Sequence, residues 1–344
     1  MTAPATSQND GCTVDTRRFR DALTAALHVR ASLLASPDTT AYRIVDGAGD
    51  DLPGIYIDRY GPALVLNVYD DAGVDEGAAT TVARASLDGM RDHDVESVYV
   101  KRFVRDRSRL GGQAPEETRM PMPRAGVAQP EAIAIREHGA QFEVRLYDGF
   151  STGLFLEHRE HRRALAALQP ARVLNLFAYT CGFAVPLVAA GAHVTNVDVS
   201  ARYLAWGRRN LELNALPLDR ARFYPMDAFE FLAWAARKPE ERFDLVILDP
   251  PTFAAGDVRR KRKPWKAVSG YPALVQAAAK VLTPGGRIFA ATNARELATG
   301  DALRDLIEDA LGRRVKWERL PTWPIDVRER GRVAAVLFSR RTQA

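Results

Sequence analysis

An α/β fold follows from three features of the sequence: a doubly wound, mostly parallel seven-stranded sheet preceded by a smaller α/β domain. From about residue 172 onward, short β-branched and aromatic runs alternate with stretches of helical period, and that alternation builds parallel sheets. Upstream, one amphipathic stretch and several strand-like runs make a separate, smaller pattern. Between the two, residues 105–130 hold several Gly and Pro with little periodicity, as a linker or irregular loop does. The expected division is a polar, disordered tail over 1–13, a small domain over 14–125 and a larger one over 126–344.

Element by element, Phe19, Leu23, Ala26, Leu27, Ala31 and Leu34 recur at helical spacing and predict one amphipathic helix over 17–34. Strand-like runs follow at 42–45, 54–60 and 63–69, then a helix over about 78–91 and a strand at 97–103. Two further strands are predicted at 132–136 and 142–147. The large sheet takes strands at 172–177, 192–198, 221–225, 243–249 and 286–291, with helices starting near 182, 200, 227 and 268. Last strands near 315–320 and 332–339 close it.

Composition narrows the function classes. With 344 residues, 47% hydrophobic and 26% charged, the chain is long enough for a substantial core in each domain. No apolar stretch is long enough to span a bilayer and the start has no signal-like pattern, so a cytoplasmic protein is expected. Cys12 and Cys181 are too few for a disulfide framework or a cysteine-rich zinc site. The net charge of +5 is unevenly spread: Arg259, Arg260, Lys261, Arg262, Lys263 and Lys266 form the densest basic run. Further clusters are Arg313, Arg314 and Lys316, and Arg328, Arg330 and Arg332. Such runs suit a polyanion, and equally a solvated loop.

Ligands of doubly wound sheets bind beyond the carboxyl ends of the strands, so the candidate residues lie there. The first strand runs into Phe177-Ala178-Tyr179-Thr180-Cys181-Gly182, where Gly182 lets the backbone approach a ligand. The spaced glycines of a dinucleotide site are missing, which argues against a nicotinamide cofactor. The second strand ends in Asp198 with Ser200 following, and a carboxylate there can accept both ribose hydroxyl hydrogens. The third delivers Asp227 and Ala228, and Asp227 can accept from an adenine amine. Each residue could instead only cap a turn or helix. Their joint placement at successive strand ends favours a bound nucleoside.

The fourth strand ends in Asp249-Pro250-Pro251-Thr252-Phe253, the most specific signal in the chain. Prolines fix the backbone and remove amide donors, leaving carbonyls to accept hydrogens from a base on whose face Phe253 stacks. The alternative is a rigid turn with an aromatic plug.

These residues resemble the bacterial large-subunit ribosomal RNA methyltransferases that modify cytosine carbon 5 or guanine N7. The likeness runs over roughly 40–340: Asp51 to Tyr60 is similar to D-G-L-P-G-x-x-x-D-R-Y, Thr152 to Arg159 to T-G-x-F-L-D-Q-R, and Asn175 to Phe183 to N-L-F-x-Y-T-G-G-F, while D-P-P-T-F matches outright. The resemblance implies a class I, Rossmann-like methyltransferase domain. It also implies S-adenosylmethionine bound near Phe155, Arg159, Phe177 to Gly182, Asp198 and Asp227, with the acceptor base beside Asp249 to Phe253. Ribosomal RNA is then the expected partner, and a homodimer is left open.

Departures from the pattern refine this. The carbon-5 enzymes carry a cysteine after the fifth strand, whereas this segment reads Phe289 to Arg295 without one. Asn293 and Arg295 resemble the S-N-N-K-R run of the guanine-N7 enzymes, whose acceptor nitrogen needs no deprotonation. The chain also starts without the RNA-binding module of many relatives, and the 259–266 loop, with Trp265 for stacking, is expected to substitute for it. Asn293 is either a catalytic group or a strand-end hydrogen bonder. His158 and His161 are expected to be surface or supporting groups rather than metal ligands. Open alternatives are a carbon-5 enzyme, a small-molecule methyltransferase and a non-catalytic binder of cofactor and RNA.

Overall fold

The computed structural model describes residues 15–104, 116–254, 256, 264–312 and 315–340. The N-terminal tail with Cys12, the basic residues Arg259, Arg260, Lys261, Arg262 and Lys263, and Arg313 and Arg314 lie outside the described residues. The chain divides into two compact units, the first taking in 1–133 and 145–152 and the second 134–144 and 153–344.

In the first unit, Asp15 caps α1 (Thr16–Val29) by accepting from the backbone N–H groups of Arg17 and Arg18. The single helix predicted to Leu34 breaks at Arg30, leaving a short α2 (Ala31–Leu34). Arg30 is buried and its guanidinium turns onto Asp50 at 2.6 Å, so a long-range ion pair overrides the helical period. Strands β1 (Ala41–Asp46), β2 (Ile55–Tyr60), β3 (Ala63–Tyr69), β4 (Ser97–Phe103) and β5 (Ala125–Gly126) pair in chain order. Only β3 and β4 are parallel, with α3 (Glu76–Gly89) as their crossover. The Asp51 to Tyr60 motif serves this fold. At Gly54 φ is +80° and a Cβ would lie 2.7 Å from Ala72, so no other residue fits. Asp58 and Arg59 are buried on Arg43 and the Tyr42 hydroxyl.

The second unit begins with a small ladder of β6 (Ile133–Glu137) and β7 (Ala140–Val144) and helix α4 (Arg159–Ala167). Then come β8 (Arg172–Leu176), α5 (Ala184–Ala189), β9 (His193–Asp198), α6 (Ala201–Leu213), β10 (Ala221–Pro225), α7 (Ala228–Ala236) and β11 (Phe243–Leu248). A two-stranded ribbon, β12 (Phe253–Ala254) and β13 (Trp265–Lys266), leads into α8 (Ala267–Ala279). The chain ends with β14 (Leu282–Thr292), α9 (Arg295–Ala298), α10 (Ala302–Ala310), β15 (Val315–Glu318) and β16 (Ala334–Arg340).

Seven strands form one sheet in the order β10-β9-β8-β11-β14-β16-β15. It is parallel from β10 to β14, and β16 runs antiparallel to both neighbours, the mostly parallel arrangement the sequence predicts. Its strands are apolar along their length because helices cover the sheet; Leu176, Val197, Phe231, Leu248, Tyr271 and Phe338 share one core. The chain winds outward from β8 to β10 and then returns to β11. The carboxyl ends of β8 and β11 therefore flank the switch point, where a crevice for ligands opens.

Candidate active site

The turn after β8 is held in a rare conformation. Phe177, Tyr179 and Cys181 have φ of 57°, 48° and 57°, the left-handed region that costs a non-glycine residue about 1–2 kcal/mol. Backbone bonds fix it: Ala178 N–H donates to the Val197 carbonyl at 3.0 Å and Tyr179 N–H to Asp198 Oδ2 at 2.9 Å. Ser200 N–H donates to the other carboxylate oxygen, Oδ1, at 2.9 Å. Half-buried Asp198 thus clamps the turn to the end of β9.

Not every residue of the turn faces a ligand. Thr180 is buried, its hydroxyl donating to the Gly153 carbonyl at 2.5 Å and its own carbonyl accepting from Asn210. At half-buried Gly182 a Cβ would meet Leu154 at 3.1 Å and Arg162 at 3.9 Å, so the missing side chain lets the turn pack closely on both. Cys181 is fully buried against Gly207, and burial, then the Asp198 charge, pushes its thiol well above the usual range.

Rings and carboxylates complete this half of the site. Phe155 is exposed, with its ring 5.5 Å from Tyr179, which meets Tyr203 edge-on at 4.5 Å. Ser200 caps α6 by accepting from Tyr203 N–H. Asp227 caps α7, accepting from Phe229 and Glu230 N–H at 2.8 and 3.4 Å, and both bonds end on Oδ1. Ala228 is buried behind it. Asp198, Asp227 and Asp249 are all half-buried at the carboxyl ends of β9, β10 and β11, on one edge of one sheet. Acceptor carboxylates beside an exposed ring and a rigid turn suit a nucleoside.

Arg159 departs from expectation. It is 1% exposed, and its guanidinium grips Asp326 at 2.5 and 3.1 Å. A group that touches a ligand in an open crevice must be reachable by solvent, so Arg159 anchors the start of α4 rather than binding cofactor.

At the next strand end, Pro250 is buried, Asp249 half-buried and Phe253 58% exposed. The motif is braced by side chains. Thr252 donates its hydroxyl to Asn293 Oδ1 at 2.5 Å, which makes exposed Asn293 a strand-end hydrogen bonder. Trp265 donates its indole N–H to the Pro251 carbonyl at 2.7 Å, with its ring near Phe177 and Phe229. A Cβ at Gly270 would overlap that ring. Trp265, expected to stack on RNA, is thereby corrected to a brace. Exposed Lys266 pairs with Phe253 across the β12–β13 ribbon. Buried Tyr271 donates to the Ala291 carbonyl at 2.7 Å and ties α8 to β14.

Of the two roles the sequence left open for His158 and His161, surface or supporting, burial excludes the first, each being about 2% exposed. His158 Nε2 lies 3.5 Å from Asp249 Oδ2, and the two Nδ1 atoms are 3.1 Å apart. Among the described residues no group of three His, Cys, Asp or Glu could hold a metal ion. Sequence reasoning missed His158 beside Asp249, the brace Tyr271 and the anchor Asp326. Only the first had a local signal, its place within Thr152 to Arg159.

Residues 126–338 match the S-adenosylmethionine-dependent methyltransferase family. The chain is 34% identical over 300 residues to the ribosomal RNA large subunit methyltransferase I of Salmonella arizonae, covering 86% of this chain and 70% of that one. Identity to its Salmonella typhimurium counterpart is 33% over the same shares. The structure of SMU.776 complexed with SAH matches with a TM-score of 0.79 and 25% identity, covering 94% and 82% of the two chains. A methyltransferase from Agrobacterium tumefaciens, with a TM-score of 0.61 and 20% identity over 88% and 90%, shares the fold.

Proposed function

The chain belongs to the S-adenosylmethionine-dependent methyltransferase family, and from that premise we propose that it methylates a base nitrogen of large-subunit ribosomal RNA, in the manner of a guanine N7 acceptor. The donor supplies an electrophilic methyl group on a positively charged sulfur. Asp198 would hold the ribose hydroxyls and Asp227 the adenine amine, while Phe155 and Tyr179 offer ring faces. The 34% identity to a ribosomal RNA large subunit methyltransferase supports RNA as the substrate.

One observation carries the choice of substrate: 58%-exposed Phe253 stands beside half-buried Asp249 at the switch-point edge. A flat base can stack on the ring while its polar edge meets the carboxylate. The Thr252–Asn293 and Trp265–Pro251 bonds hold this edge in place, so a lone pair can be aligned with the methyl group. Nitrogen is favoured over carbon because carbon-5 transfer needs a thiolate to add to the ring. Cys181, the described cysteine, is buried and its thiol is pushed up by that burial.

The test is methyl transfer from labelled donor to ribosomal RNA of a strain lacking the gene, followed by nucleoside mass spectrometry. A methylated guanine is expected. Methylation at cytosine carbon 5 overturns the nitrogen assignment, and donor binding without any labelled RNA makes the protein a non-catalytic binder. The basic run that includes Lys266 would grip phosphates, so charge reversal across 259–266 is expected to weaken RNA binding and flatten its salt dependence.

A further inference from the structure

We propose that His158 is a positioning residue for Asp249: its Nε2–H holds one carboxylate oxygen, and His161 fixes the imidazole tautomer that permits this. The inference rests on the methyl-transfer function above and adds a part to the same site.

His158 closes the turn just before α4 and is buried with its Nε2 3.5 Å from Asp249 Oδ2. Hydrogen bonds of catalytic groups are often long before substrate binds and tighten in the complex. The opposite ring nitrogen meets His161 Nδ1 at 3.1 Å. A hydrogen bond between two ring nitrogens needs one N–H and one lone pair. A bare Nε2 would set its lone pair against the carboxylate oxygen, so Nε2 carries a hydrogen. In the Nε2–H tautomer of His158, Nδ1 is the acceptor and His161 Nδ1–H the donor. The chain reads His161 Nδ1–H to His158 Nδ1, then His158 Nε2–H to Asp249 Oδ2, and leaves Oδ1 for the acceptor base.

The surroundings keep this arrangement. The His158 ring lies 5.6 Å from Phe183, 6.0 Å from Phe289 and 6.2 Å from Trp323, and His161 meets Trp323 edge-on at 4.7 Å. Aromatic rings packed around buried imidazoles disfavour charge. Burial first, with the Arg162 charge adding to it, pushes His161 down to about 3, so it stays neutral in the working range. The charged and titratable groups facing the pair are Asp249 after β11, Glu160 and Arg162 on α4, and Tyr271 on α8 behind Asp249. The family motif resembled here has Gln at position 158, and an amide can also donate to a carboxylate while accepting from His161.

The test combines His158→Ala and His158→Gln with nitrogen-15 spectra of the free wild-type protein. His158→Ala is expected to lower kcat for RNA methylation about 10- to 30-fold, with RNA KM and donor affinity within about twofold. His158→Gln is expected to restore most of that loss. The spectra should show His158 as the Nε2–H tautomer and His161 as the Nδ1–H tautomer, with the His161 signals unchanged from pH 5.5 to 8.5. A fully active His158→Ala, equal loss in the Ala and Gln variants, or an Nδ1–H tautomer at His158 overturns the proposal. If wild-type protein transfers no methyl group to RNA, the proposed function fails, and the spectra alone decide the histidine arrangement.

Discussion

The turn after β8 and the motif after β11 end neighbouring strands of one sheet, yet they are held by different means. Residues 177–181 are shaped by backbone: three left-handed residues, and N–H groups donated to Val197 and Asp198. Residues 249–253 are shaped by side chains from far along the sequence: His158, Trp265 and Asn293. A backbone-built pocket suits a cofactor that never changes. A side-chain brace can be altered one residue at a time, which suits the part that must choose its acceptor.

Separate disruption of the two regions would sharpen that contrast, and Asp249→Ala has the largest expected effect. It should lower kcat by about 100-fold or more while donor affinity, by calorimetry, stays within about threefold. A matching loss of donor affinity would show that the two regions are one. Asp198→Ala should do the reverse, weakening the donor about 10- to 100-fold, because bonds to a charged group are worth about 1.5–3 kcal/mol. Trp265→Ala tests the brace: about 2 kcal/mol of stability and about tenfold in kcat should go, as the half-buried ring leaves a cavity and frees Pro251. An unchanged melting curve would remove Trp265 from the brace.

Acid gives a smaller effect of known sign. The folded state holds His161 down at about 3 through burial, against an ordinary value of 6.5. As pH falls below 6.5 the unfolded chain binds a proton that the folded chain refuses, so stability declines until about 3. Urea titrations of His161→Phe should show a flatter decline in that window than wild type. The smallest effect separates Cys181→Gly from Cys181→Ala. Gly relieves the left-handed strain and should be more stable by about 1 kcal/mol. Both variants should keep methyl transfer, and loss in both would make the thiol part of the chemistry.

Much of the fold was legible because the signals are local. Alternating runs gave every strand of the large sheet to within a few residues, and Asp198, Asp227 and Asp249 all fall at strand ends. What failed depended on contacts that local patterning does not encode. Arg159 looked like a cofactor ligand until Asp326, 167 residues on, claimed its guanidinium. Trp265 looked like an RNA-stacking ring in a basic loop, but Pro251 takes its N–H and Gly270 makes room for it. Arg30 broke a helix whose periodicity was sound, because Asp50 lay within reach.

The sequence by itself determined the doubly wound sheet, the order of its strands along the chain and the carboxylates at its edge, since periodicity and strand-end chemistry are written in neighbouring residues. Only the tertiary structure decided which polar groups face the crevice and which are used up inside. A hydrogen bond is settled by distance in space, and the buried His158–His161 pair beside Asp249 exists only once the turn before α4 is brought to the end of β11.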